Sequence, residues 1–94
     1  MPSKEDILGN IDFISEHIGS TSNIELYGKG ILGINKDSNL VYLNLYNKVV
    51  EVEINLNCKY FELGCLKIDE DNNTCLILGS SNMVLVDIVN NKII

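Results

Sequence analysis

Histidine is nearly missing from this 94-residue sequence, with His17 the only one. The three cysteines, Cys58, Cys65 and Cys75, form no C-x-x-C pair, so a zinc site lacks ligands at workable spacing. They are odd in number and lie inside apolar runs, which suits buried thiols in a reducing compartment rather than a disulfide framework. No apolar run approaches the roughly 18 residues of a membrane span, and the N-terminus lacks a basic-then-apolar signal pattern. A nuclear or cytoplasmic chain with no membrane partner is expected. Basic residues are few as well. Lys and Arg number 7 against 13 Asp and Glu, a formal net charge of −6. The lysines stand singly among carboxylates, without the basic stripe by which a protein grips phosphate unaided.

The usual catalytic pairings are absent too. Ser80 and Ser81 have no general base nearby in sequence, and no spacing sets two carboxylates to work together. No catalytic residue, metal or cofactor is expected. Two local patterns invite an active-site reading and fail it. Gly28-Lys29-Gly30 lacks the phosphate-loop spacing and no helix start follows it, and Asp69–Asn73 lacks the EF-hand pattern.

What is present is apolar patterning: 46% of residues are hydrophobic and 21% charged, enough for one small domain with a core. Residues 3–18 read as a capping helix. Ser3 is placed to cap it, Glu5 and Asp6 lie in the first turn, and Ile7, Ile11, Ile14 and Ile18 form one stripe. Gly19 and a polar linker, Ser20–Asn23, end it. Residues 23–57 read as a three-stranded meander, with turns at Asn35–Asn39 and Asn47-Lys48. Its last run alternates, with Val50, Val52, Ile54 and Leu56 on one face and Glu51, Glu53, Asn55 and Asn57 on the other. Gly28, Gly30 and Gly33 suggest a strongly bent first strand. Further strands are expected at 60–69, again with an internal glycine (Gly64), and at 74–78, with a hairpin loop between them. After a break at Gly79–Asn82, the run from Met83 to Val89 reads as strand or short helix. The apolar 90–94 tail suggests docking on the domain or on a partner.

A helix, a bent glycine-bearing strand, a meander and two more strands follow the order of the OB-fold. The expected architecture is therefore a mainly β, single domain over 1–94. It is a small five-stranded OB-like barrel, with strands in 24–89 and an N-terminal helix. Through F-I-S-E-H-I-G, I-E-L-Y-G-K-G-I-L-G-I, V-V-E-V-E-I, F-E-L-G-C-L-K-I and V-L-V-D-I-V-N-N-K-I-I, the chain resembles the small subunit of replication protein A. That family belongs to the eukaryotic single-stranded DNA-binding heterotrimer of DNA replication and repair. The resemblance implies a nuclear, non-catalytic structural subunit working by protein–protein interaction with larger subunits, with DNA touched weakly or indirectly. Val84, Val86, Ile88, Val89, Ile93 and Ile94 are the expected partner interface, and Lys29, Tyr42, Tyr46 and Lys48 the expected nucleic-acid contacts. Two segments, G-I-L-G-I-N-K-D-S-N-L-V-Y-L and L-I-L-G-S-S-N-M-V-L-V, also resemble the Sm-like RNA-binding signature, implying a ring or adaptor protein. Residues 62–89 are similar to a propeller blade or to part of a roadblock-type scaffold.

Overall fold

A computed structural model describes residues 1–18, 24–56, 65–78 and 83–94. The expected helix forms as two short pieces, α1 (Lys4–Leu8) and α2 (Ile11–His17). Ser3 starts α1 with a reciprocal cap: the Asp6 N–H donates to Ser3 Oγ at 3.2 Å and the Ser3 N–H donates to Asp6 Oδ2 at 2.8 Å. The break falls at Gly9-Asn10. Asn10 leaves helical geometry (φ −121°) and its Nδ2 donates to the Asp6 carbonyl at 2.7 Å, a local alternative to the next helical bond. The linker at 19–23 lies outside the described residues.

Among the described residues, eight strands follow in two antiparallel sheets, each a simple meander. The first holds β1 (Glu25–Tyr27), β2 (Gly30–Ile34), β3 (Asn39–Asn44) and β4 (Val49–Asn55). The second holds β5 (Cys65–Asp69), β6 (Thr74–Leu78), β7 (Met83–Asp87) and β8 (Lys92–Ile93). The mainly β expectation holds. Among the described residues the strands form no closed barrel.

Three local outcomes account for the higher strand count, the first being that the undecided 83–89 run forms strand β7. Gly28 takes φ +53°, so the single bent strand expected over 24–34 becomes a hairpin in which Tyr27 pairs with Gly30. At the other end Asn91 takes φ 57°, and the tail returns as β8, with Ile93 opposite Val86. The segment 87–94 is thus the end of a strand, a turn and a short strand rather than a helix. The start of the expected 60–69 strand, with Gly64, and the break at 79–82 lie outside the described residues.

Three hairpins share one turn chemistry. The last strand residue, Asn44, Asp69 or Asp87, accepts the backbone N–H three positions on, and four positions on Lys48, Asn73 or Asn91 takes positive φ. Asparagine and aspartate favour both roles, which explains why these loops read clearly as turns.

The layers run helices, first sheet, second sheet. Ile31, Val41, Leu43 and Leu45 are buried with Ile18 on the helix side, where Ile7, Phe13 and Ile14 pack against them. Leu32, Ile34, Leu40, Ile54 and Leu56 meet Leu66, Cys75, Ile77, Val86 and Ile88 between the sheets. Gly30 is buried where an added Cβ would lie 1.6 Å from the Leu43 carbonyl oxygen, so only glycine fits. One alternation expected from sequence is broken. Tyr42 pairs with Val52 and Leu43 with Val50, leaving Glu51 as a bulge, so Val50 joins the helix-side core while Val52 and Ile54 face the second sheet.

The two sheets are also a sequence repeat. At an offset of 34 residues, Leu32 matches Leu66, Ile34 matches Ile68, Asp37 matches Asp71 and Asn39 matches Asn73. Val50, Val52 and Ile54 match Val84, Val86 and Ile88 at the same offset. The sheets are joined across their boundary by Tyr27, whose hydroxyl donates to Asn73 Oδ1 at 2.7 Å.

Candidate assembly interface

The second sheet has one face turned to the first sheet and one turned away. Alternation along antiparallel strands decides which residues lie on each. Val84 and Val86 pair with Ile77 and Cys75, and together with Ile88 they look into the shared core. Three of the expected interface residues are therefore packed within the domain, with Val86 and Ile88 buried, because the inner face of β7 and the residue just after it close the core. Val89, Ile93 and Ile94 remain exposed.

The outward face was not singled out from the sequence. It carries two neighbouring cross-strand pairs, Leu76 with Leu85 and Leu78 with Met83. Ile94 extends the Leu85 row onto the C-terminal strand, where its N–H donates to the Leu85 carbonyl at 2.8 Å. Exposure is 39% for Leu78, 71% for Met83, 39% for Leu85 and 67% for Ile94. Isolated exposed hydrophobes are ordinary, but a contiguous group on one sheet face is a candidate interaction surface. The signal was there to be read. T-C-L-I-L and M-V-L-V run apolar without the polar alternation of V-E-V-E-I, the mark of strands covered on both faces.

One end of this face is acidic. Asp69, Thr74, Asp87 and Lys92 form its terminal row by register, with Glu70 and Asp71 in the adjoining loop. The Asn72 side-chain amide, at 2.7 Å, holds the Asp69 carboxyl below its ordinary range, helped by backbone N–H groups of Asn72 and Asp71. Asn90 does the same for Asp87 at 2.8 Å, so both carboxylates stay charged into mildly acidic solution.

The expected nucleic-acid contacts do not make a reading surface. Tyr42 faces the inter-sheet core rather than the wet side, meets Tyr27 edge to face at 5.6 Å, and donates its hydroxyl to the Tyr27 carbonyl at 3.0 Å. Its hydroxyl also accepts the Lys29 N–H at 2.8 Å, and burial pushes its pKa up. Tyr46, Lys29 and Lys48 are exposed.

An open polar cleft of about 270 Å³ lies between the end of α2 and the β2–β3 turn, lined by Glu16, His17, Asn35, Lys36, Asp37 and Glu53. Glu53 is already engaged there, since its Oε2 accepts from Asn35 at 3.0 Å and Asn39 at 2.8 Å. Among the described residues no three His, Cys, Asp or Glu side chains are grouped to hold a metal ion, and no helix is long and apolar enough to cross a membrane. Cys75 is buried, and desolvation, with a smaller push from Glu25, raises its thiol to about 11, the behaviour of a core thiol rather than a nucleophile. Cys58, Ser80 and Ser81 lie outside the described residues. The chain matches no protein-family model, no curated protein and no solved structure.

Proposed function

We propose that this chain acts by assembly rather than catalysis, as a structural subunit that docks onto a larger protein through the outward face of β6 and β7. The observation that carries this reading is the contiguous exposure of Leu78, Met83, Leu85 and Ile94 on a sheet whose other face is already packed. Burying such a group contributes roughly 25 cal/mol for each Å² of apolar surface removed from water, the driving force for association.

The complex we assign it to is a single-stranded DNA-binding hetero-oligomer in the nucleus. This rests on the sequence resemblance to the small subunit of replication protein A, and not on a barrel, which the described strands do not form. The net charge of −6 and the engaged Tyr42 support a supporting role, in which DNA is met weakly through Lys29, Tyr46 and Lys48 or only through partners. Two consecutive four-stranded meanders favour a second reading, a blade-type interaction scaffold.

Affinity purification of the tagged chain from its own cells tests both. Recovery of single-stranded DNA-binding subunits, lost in a Met83→Ser/Leu85→Ser variant that still folds, supports the first. Partners unrelated to DNA, lost in the same variant, favour the scaffold. Tight binding of single-stranded DNA by the purified chain alone, with a steep salt slope, sinks the supporting role.

A further inference from the structure

We infer that the outward face of the second sheet receives an amphipathic helix from a partner protein, with lysine or arginine bordering the helix's apolar stripe. The inference deepens the assembly reading above and rests on it. The molecule itself shows how such a face is closed. On the first sheet, α1 and α2 lay Ile7, Phe13, Ile14 and Ile18 over Ile31, Val41, Leu43 and Val50. No described residue does this for Leu78, Met83 and Leu85.

The dimensions suit one helix. Adjacent strands lie ~4.8 Å apart and same-face neighbours ~6.7 Å apart along a strand, so Leu76, Leu78, Met83, Leu85 and Ile94 cover an area about 10 Å by 7 Å between their Cα positions. Two helical turns advance about 11 Å and present three to four stripe residues, which matches that patch.

Charge decides between a basic partner and a second copy of this chain. By register Asp69 and Asp87 share the outward face with Lys67, beside Leu76, and Lys92, beside Asp87, and Glu70 and Asp71 in the adjoining loop leave that end net acidic. A second copy brings the same acidic border and the same net charge of −6 against it. Its own helices already cover its first sheet and carry Glu5, Asp6, Asp12 and Glu16. A helix bordered by Lys or Arg instead meets opposite charge at the Asp69–Asp87 end while its stripe covers the leucines.

Three synthetic helical peptides titrated into the purified full chain test this by fluorescence anisotropy. One has a leucine stripe bordered by lysine, the second has glutamate in place of lysine, and the third scrambles the first at equal charge. The lysine-bordered peptide is expected to bind about tenfold tighter than either control, a difference of about 1.4 kcal/mol. Met83→Ser/Leu85→Ser should remove about that factor, and Asp69→Asn/Asp87→Asn should narrow the gap between the lysine and glutamate peptides. Circular dichroism confirms that both variants remain folded. Equal binding of the scramble, or of the glutamate peptide, overturns the inference. Sedimentation of the chain alone separates the two levels. A dimer dissolved by Met83→Ser/Leu85→Ser gives the face to a second copy, overturning the helix while leaving assembly intact. A monomer that binds none of the peptides, and whose cellular partners survive the double substitution, overturns both.

Discussion

The two sheets are built from the same repeat and end in different situations. The first is covered on both faces, by α1 and α2 on one side and the second sheet on the other. Among the described residues, the second is covered on one. Both outward faces carry leucines, so composition does not separate them. What separates them is which residues the rest of the chain brings within reach. The first sheet is closed on both sides, and the second keeps Leu78, Met83 and Leu85 exposed.

The sharpest test of this contrast is at Gly30. A Cβ there would overlap the Leu43 carbonyl, backbone that cannot step aside, so Gly30→Ala is expected to cost about 3 kcal/mol or more and to leave little folded protein. Near-wild-type melting of that variant would show that β2 and β3 are not held at this approach. Next is a matched pair in urea unfolding. Leu43→Ala removes a side chain with 0% exposure beneath the helices and should cost about 3 kcal/mol, whereas Leu85→Ala on the open face should cost less than about 1 kcal/mol. Equal costs would mean that the open face is covered after all.

A smaller effect is expected where the sheets join. Tyr27→Phe should cost about 1 kcal/mol and Asn73→Ala about 1 kcal/mol more, since alanine also disfavours the positive φ there. The double variant should be no worse than the larger single, because both remove one hydrogen bond. Additive losses would detach that bond from the joint. The mildest effect is chemical. With Cys58 and Cys65 replaced by serine, Cys75 should resist thiol reagents near pH 8 until the chain unfolds. Its folded pKa is raised to about 11, so its contribution to stability is complete below the unfolded value of about 8.5 and declines as pH rises through 11. The wild type should therefore lose melting temperature in that window faster than Cys75→Ala. Parallel curves would place the thiol in water.

Much of the local structure was legible. The Ser3 cap, the turns at Asn35–Asn39 and Asp69–Asn73, and the alternation of β4 from Val52 onward each depend on neighbours close in sequence, and each is found. The hairpin at Gly28 was harder, because glycine signals a bend without saying whether the chain curves onward or reverses. Val50 was misplaced by a one-residue bulge, which moves a side chain to the opposite face without changing the pattern of letters. The same weakness put Val86 and Ile88 at an interface. Apolar residues near a chain end look alike whether they close a core or stay exposed, and the exposed Leu78, Met83 and Leu85 differ from them only in parity along their strands.

Sequence alone determined that this is a mainly β domain, acidic and punctuated by Asn- and Asp-capped turns. Those properties follow from period, turn chemistry and charge, all of them short-range or additive. Only the tertiary structure decided that the strands divide into two stacked meanders, and that the leucines of one outward face are covered while those of the other are not. Burial is a property of what packs against a side chain, and in this chain what packs against it lies tens of residues away.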